Sequence, residues 1–375
     1  MPRVVMVTTS FPNGGGGAEA AGTFVADFAR LMAERVDVSV LAPGSDTCTE
    51  NAQGVSVRRF ASPEKPLSNL LSANPLDWWR IWSTLRSGER VLESMVAEAR
   101  VDHILALWAL PSGHWARQVG RRHGIPYSTW ALGSDIWSLG RIPLVRSYLA
   151  RVLRDASTRY ADGLILQQDV EALCGLPCGF LPSSRVLPVV SRKAPDGPGL
   201  RLSFLGRWHP NKGIDLLLEA LELLTDEDWA RIRRVNVFGG GPLGGLVRRK
   251  CAGLMAAGRP VVCGGYLDGH GAAELLAETD YLLLPSRIES IPVIFSDAMQ
   301  AGCPIVATPV GDLPRLFREF HVGCLTADLT PRAIAETIHT VLALPAGEYG
   351  AGINRAIQTF DVGASVSGFL SGSGW

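Results

Sequence analysis

YLLLPSRIESIPVIFSDAMQAGCPIVAT occupies residues 281–308. It opens on an apolar run, Tyr281–Leu284, too short for a helix and closed by Pro285. A loop carrying Glu289 follows. A helical pattern then starts near Pro292, a residue favoured in the first helical turn, and reaches Gln300. Pro304–Ala307 supplies a second short apolar run. Strand, loop, helix, strand is the building unit of a parallel sheet, so the stretch predicts an α/β fold. Ligands of such sheets gather at the carboxyl ends of the strands, where this loop falls.

The alternation continues outward. Upstream, Leu202–Leu205, Val235–Phe238 and Pro260–Cys263 read as strands, with Ile214–Leu224, Leu243–Ala257 and Ala272–Glu278 as helices. The first 190 residues repeat the pattern. Val4–Thr8 is a buried-type strand, Phe11–Gly17 a loop ending in four glycines, and Phe24, Val25, Phe28, Leu31 and Met32 mark one side of a helix before the strand Val36–Leu41. Asp102–Leu107, Pro126–Leu132 and Gly163–Gln167 are expected strands, and Ser112–His123 and Pro143–Tyr160 expected helices. Between the halves lies LPVVSRKAPDGPG, residues 187–199, with the proline, glycine and mixed charge of a linker. The expected organisation is an N-terminal Rossmann-like domain over 1–190, a linker over 191–199, a second such domain over 200–352 and a C-terminal segment over 353–375 that returns to the N-terminal domain.

Composition narrows the function classes. A 47% apolar and 19% charged chain of 375 residues has ample core and is not disordered. Lys+Arg and Asp+Glu both total 36, so no basic excess exists for general nucleic-acid binding. Mean hydropathy is +0.15, yet no run of 18 apolar residues suggests a membrane span. The 7 cysteines are scattered. Cys174 and Cys178 are the only close pair and lack further ligands for zinc. Reduced thiols and an N-terminus that reads as a strand, not a leader, point to the cytoplasm, with peripheral contact at the inner membrane face as a variant of that setting.

Two segments carry candidate chemistry. In Phe204-Leu-Gly-Arg-Trp-His-Pro-Asn-Lys-Gly213 a strand ends in a short loop that holds Arg207 and Lys212. Two fixed cations suit a diphosphate, Arg as a bidentate donor and Lys as a point charge; a pair of solvated loop cations is the plainer reading. In the opening stretch Glu289 and Asp297 stand eight residues apart. At a helical rise that is roughly 12 Å, too far for a shared proton or one metal ion. A helix N-terminus between them would favour phosphate.

The combination GR-x4-KG, GGGP and PS-x2-ES-x7-DAM-x-AG-x-PIVAT-x-x-GD resembles the donor half of retaining GT-B glycosyltransferases of the GT4-like family, glycosyl transferases group 1, over roughly residues 200–315. The resemblance implies a GT-B architecture, two doubly wound Rossmann-like domains facing across a cleft. It implies transfer of a sugar from a nucleotide-diphosphate sugar to an acceptor hydroxyl with retention, without cofactor or metal. Arg207 and Lys212 would hold the diphosphate, Glu289 the transferred sugar, and Asp297 the ribose in place of the usual Glu. Gly206, Gly240, Gly241, Tyr266, Leu267, Ser290, Ile291, Pro292 and Val293 would line the donor site. On the acceptor side stand Gly15, Gly16 and Gly17 with Gly133, Ser134 and Asp135. Leu105, Leu107 and Leu132 occupy positions where a similar subgroup has histidines. That departure keeps a second reading in view, a catalytically silent nucleotide-sugar-binding partner subunit. The partners expected are a nucleotide sugar and a saccharide or lipid-linked acceptor in glycan or exopolysaccharide assembly, and no nucleic acid.

Three motifs read otherwise. Gly239–Gly244 fits G-x-G-x-x-G, but the acidic residue a dinucleotide site wants some 20 positions on is missing, which argues against a dehydrogenase. Asp226-Glu-Asp228 fits D-x-D, yet its place between a helix and Trp229 suits a helix cap. The Arg-rich stretch Pro143–Tyr160 reads as a solvated helix face. Asp77-Trp-Trp-Arg-Ile-Trp82 carries two readings, a helix packing its Trp inward or an interfacial helix touching a bilayer or lipid acceptor.

Overall fold

Short β-branched runs with no polar face have to be covered on both sides, and in each half of the chain they line up as a mainly parallel sheet with helices on its faces. The computed structural model describes residues 1–12, 22–62, 75–193, 197–344 and 347–374. The chain forms two compact units, Met1–Pro182 with Ser365–Trp375, and Ser183–Ala364.

The first unit holds strands β1 (Arg3–Val7), β2 (Asp37–Gly44), β3 (Cys48–Ala52), β4 (Val55–Ala61), β5 (His103–Leu107), β6 (Tyr127–Ala131), β7 (Thr158–Ala161) and β8 (Gly179–Phe180). Its helices are α1 (Thr23–Ala33), α2 (Pro75–Glu98), α3 (Ser112–His123), α4 (Ser134–Trp137), α5 (Pro143–Asp155) and α6 (Leu164–Cys174). The strand order is β3-β4-β2-β1-β5-β6-β7-β8, and only the β3–β4 pair is antiparallel. Right-handed crossovers put α2, α3, α5 and α6 on one face and α1 on the other. On the first face Trp115 packs edge-on to Phe60 at 5.1 Å. On the second, Phe28 lies 5.0 Å from Trp130.

The second unit holds β9 (Leu200–Arg207), β10 (Ile232–Gly240), β11 (Val261–Gly264), β12 (Tyr281–Leu284), β13 (Ile305–Ala307) and β14 (Gly323–Leu325), all parallel in the order β11-β10-β9-β12-β13-β14. Its helices are α7 (Ile214–Glu222), α8 (Asp226–Ala230), α9 (Gly244–Ala256), α10 (Gly269–Glu278), α11 (Val293–Gln300), α12 (Leu313–Phe320), α13 (Pro331–Val341) and α14 (Gly350–Thr359). A last helix, α15 (Val362–Gly372), spans the division, and its residues from Ser365 onward belong to the first unit. There Phe369 is fully buried against Phe28, His103 and Tyr160 at 6.2, 6.0 and 5.9 Å.

Two expected elements are corrected. Gly163–Gln167 is not a strand: Gly163 caps α6. The expected helix Pro143–Tyr160 stops at Asp155, because Ala156 turns extended (φ −68°, ψ 140°) and Thr158–Ala161 enters the sheet. A four-residue strand containing Arg159 lacks the apolar signature, whereas Leu164-Ile-Leu has it without being a strand. Asp226–Asp228 opens α8. Asp228 and Thr225 form a reciprocal capping box, and His339 Nδ1 lies 2.6 Å from Asp228 Oδ1.

Candidate functional site

Parallel strands end on one edge, and in the second unit that edge collects the residues singled out from sequence. β9 ends at Arg207 beside Gly240 of β10, and β12 ends at Leu284 just before the Glu289 loop. Two glycines make this approach achievable. Gly213 has φ +66°, and a Cβ on it would lie 1.8 Å from the Pro285 carbonyl oxygen, so the β9 loop and the β12 loop touch there. Gly239 has φ +147°, and a Cβ would lie 1.9 Å from the Gly206 oxygen. Arg287 fastens the same junction. Its amide donates to Asn211 O at 2.8 Å, and its guanidinium bridges Pro210 O and both oxygens of Asp215 at 2.6–2.8 Å. Burial pushes the Asp215 carboxyl up, but the Arg287 pairing and backbone hydrogen bonds together hold it below its usual range.

Lys212 and Glu289 meet across this junction as an ion pair, and Ser286 Oγ donates to Glu289 Oε1 at 3.0 Å. The Glu289 side chain is 11% exposed and that of Lys212 33%. Arg207 is exposed at the end of β9. His209 sits between the two cations. Partial burial, then Arg207 and Lys212, hold its pKa below the ordinary value. The chain after Glu289 buries Ser290, Ile291 and Pro292 and enters α11 with no side-chain cap. Ser290 Oγ is buried with no partner among the described residues. An uncapped helix start with an unpartnered hydroxyl beside it offers free donors that could hold an anionic group. Gly206 lies at the end of β9 beside Gly239, and Gly241 in the turn after β10, and the half-exposed Tyr266 covers Gly240, donating from Oη to its carbonyl at 2.7 Å. Leu267 follows, half-buried.

Asp297 sits one turn into α11. It is 1% exposed and turned onto Arg185, whose Nε is 2.9 Å from both carboxylate oxygens and whose Nη2 is 2.6 Å from Oδ2. Gln300 continues the clamp, accepting from Leu187 N at 3.0 Å and donating to Arg185 O at 2.8 Å. Because α11 begins only at Val293, the helical rise does not set the Glu289–Asp297 spacing. Sequence reasoning missed Arg185, Arg287 and Ser286. Arg185 is 112 residues from its partner and carries no motif; Arg287 and Ser286 lie inside the opening stretch, where only the topology shows what they brace.

In the first unit Gly133 (φ +97°) caps α4, which begins at Ser134. Asp135 is 1% exposed, and its carboxylate accepts from Ala109 N at 2.6 Å and Leu132 N at 3.3 Å. It staples the β5 and β6 loops together. Burial pushes its pKa up to about 6 against those hydrogen bonds. Gly15, Gly16 and Gly17 lie outside the described residues. No group of three or more metal-ligating side chains occurs among the described residues, nor does a helix long and apolar enough to cross a membrane.

Residues 199–343 match the family model of glycosyl transferases group 1. Among curated relatives, the putative teichuronic acid biosynthesis glycosyltransferase TuaC of Bacillus subtilis (strain 168) is 29% identical over 254 residues, 63% of this chain and 60% of TuaC. D-inositol 3-phosphate glycosyltransferase of Corynebacterium glutamicum (strain R) is 31% identical over 148 residues, 38% of this chain and 34% of that enzyme. The chain thus aligns with about three-fifths and one-third of these relatives. Among solved structures, sucrose-phosphate synthase from Thermosynechococcus elongatus superposes with a TM-score of 0.76 at 16% identity, covering 99% of this chain and 98% of that one. Anabaena HepE in complex with UDP and glucose superposes with a TM-score of 0.72 at 16% identity, covering 99% of each chain. These likenesses establish the GT-B fold, and within it residues 199–343 are similar to the glycosyl transferases group 1 family.

Proposed function

We propose that the protein is a glycosyltransferase that moves a sugar from a nucleotide-diphosphate sugar to an acceptor hydroxyl, with retention at the anomeric carbon. The observation that carries this reading is the meeting of Arg207, Lys212, Glu289 and the uncapped start of α11 on one sheet edge. When the anomeric C–O bond breaks, negative charge builds on the leaving diphosphate. Two fixed cations and a helix N-terminus stabilise that charge without reorganising. Glu289, freed from Lys212 as the diphosphate takes its place, would hold the sugar hydroxyls and face the positive charge developing at the anomeric carbon. The acceptor is read as a saccharide, free or lipid-linked, of the kind used in glycan assembly. Retention and the family-type roles of these residues rest on the family resemblance.

The test is binding of UDP, GDP, ADP and dTDP by thermal shift, followed by turnover of the matching nucleotide sugars with EDTA present. Selective stabilisation by one nucleotide, lost in Lys212→Ala, and turnover that survives EDTA are expected. NMR of the product anomer then reads the stereochemistry. Binding without turnover for any acceptor would make the chain a donor-binding subunit, and absence of any binding would remove the donor site.

A further inference from the structure

The 7 cysteines are scattered in sequence, but the second unit brings two of them together next to the candidate donor edge. Helix α9 covers the sheet with the buried stripe Gly244, Val247, Cys251 and Leu254. On β11, Val261 is buried and Val262 is 40% exposed, so the strand's alternation puts Cys263 on the face of Val261. α9 packs against β11. Cys251 and Cys263 therefore face each other between helix and strand, and the Cys251 thiol is pushed up to about 12, first by burial and then by its Cys263 neighbour. Cys251 is fully buried, whereas Cys263 is half-buried on an edge strand that pairs only with β10.

The chain after Cys263 holds the turn at the end of β10. Gly264 lies against the Phe238 ring, which a Cβ there would meet at 2.2 Å. Gly265 O accepts from Gly239 N at 3.1 Å, and Tyr266 Oη donates to Gly240 O at 2.7 Å. What moves Cys263 moves these contacts.

We propose that Cys251 and Cys263 are a redox site, a thiol pair that closes to a reversible disulfide and thereby loosens the Gly264–Tyr266 segment from the candidate donor edge. The oxidant is a peroxide. Cys263, the reachable sulfur, gives an electron pair to one peroxide oxygen, becomes a sulfenic acid and releases water. The Cys251 sulfur then attacks it, the S–S bond forms, and the hydroxyl departs with the Cys251 proton as a second water. Two thiols and one hydrogen peroxide thus give one disulfide and two waters, and an added dithiol returns the thiols by exchange. The buried Cys251 thiol holds its proton, so the second step is the slow one. An S–S bond of about 2.05 Å is far inside a non-bonded contact, so closure draws the edge strand β11 toward α9. Cys174 and Cys178, the pair close in sequence, are both buried and offer no reachable sulfur to start the reaction. The disulfide is independent of the proposed transfer; only its effect on nucleotide binding rests on that reading.

The test takes the full chain, reduced, then treated with hydrogen peroxide, blocked with N-ethylmaleimide and mapped by mass spectrometry without reductant. A cross-linked Cys251–Cys263 peptide that dithiothreitol cleaves is expected, and dimedone added with the peroxide should label Cys263 and not Cys251. Cys263→Ser, at a half-buried position, should melt like the parent and form no such peptide. Hydrogen exchange reads the loop without any ligand. The Gly239 amide should exchange at least threefold faster in the oxidised parent, and at the unchanged rate in peroxide-treated Cys263→Ser. In thermal shifts with UDP, GDP, ADP and dTDP, oxidation should weaken the stabilisation and dithiothreitol restore it. Absence of the cross-link, or preferential linkage of another pair, overturns the proposal. A cross-link that leaves the Gly239 exchange unchanged overturns the control of the donor edge. Absence of nucleotide binding by the reduced chain counts against the proposed function alone, because cross-link and exchange are read without nucleotide.

Discussion

At the scale of single residues, the Lys212–Glu289 pair sets the resting state of the candidate donor site. On the proposed reading a diphosphate would displace Glu289 from Lys212, so the pair would compete with the ligand. A partly exposed pair contributes roughly 0.5–1 kcal/mol. Glu289→Gln should therefore bind nucleoside diphosphate about two- to five-fold more tightly by calorimetry, while turnover falls because the sugar loses its carboxylate. Weaker binding would place Glu289 on the nucleotide instead. His209 reports the same event. Burial and its two cationic neighbours lower its pKa, and a bound diphosphate offsets the cationic part. Its pKa should rise on binding, so the complex takes up protons and affinity grows as pH falls through the imidazole range. An NMR titration of the His209 ring with and without nucleotide checks the sign. In the first unit two buried groups oppose each other. His103, bonded to Ser128 Oγ at 2.7 Å, is lowered to about 4, and Asp135 is raised to about 6. For His103 the unfolded chain binds the extra proton, so its contribution is present above about 6.5 and lost as pH falls through about 4. For Asp135 the folded chain binds it, so stability is lost as pH rises from 3.8 through about 6. In the parent these two contributions should largely cancel across this window. His103→Gln should leave melts that improve toward acid, and Asp135→Asn melts that worsen; the same slope in both variants would refute the assignment.

At the scale of elements, the clamp between α11 and the segment Arg185–Leu187 ties the start of the second unit to the helix that leads away from the candidate site. Removing one member of a buried pair strands the other charge, at a cost of about 3–5 kcal/mol. Asp297→Ala should lower the melting temperature of the second unit by several degrees, whereas Asp297→Ala with Arg185→Met should recover most of the loss. If the single variant melts normally and only nucleotide affinity falls, Asp297 serves the ribose, as the family resemblance implies, and not the clamp. The β/α alternation of the second unit was legible because its strands are dense apolar runs, and Tyr281–Leu284 is a strand at those same limits. The grouping of Arg207, Lys212 and Glu289 was legible because each lies within a few residues of a strand end. What stayed hidden has a common cause. Thr158–Ala161 is a strand that pairs on its backbone with no apolar pattern, and β3 is antiparallel at an edge with four exposed residues. The engagement of Asp297 by Arg185 and of Asp135 by the β5 and β6 loops depends on contacts between distant segments that no local spacing encodes.

At the scale of the whole molecule, the order of the chain makes the first unit depend on its last residues. The sheet, α1 and the outer helices are all laid down before Pro182, yet the face that carries Phe28 and Trp130 is completed only by residues 365–375. Phe369 is fully buried there, with His103 and Tyr160 against its ring, and Arg35 Nη1 donates to Ser367 Oγ at 2.7 Å. A large aromatic truncated in a packed core costs about 3–5 kcal/mol. Phe369→Ala should therefore lower a calorimetric transition belonging to the first unit, and deletion of residues 365–375 should lower it further. The second unit has its own six-stranded sheet and holds the whole candidate donor edge, so its transition and its shift by nucleoside diphosphate should persist in both variants. Two transitions moving apart, with only one responsive to nucleotide, is the expected record. A single transition that falls as a whole and loses its nucleotide response would show that the two units unfold as one and that the C-terminal segment supports the donor site as well.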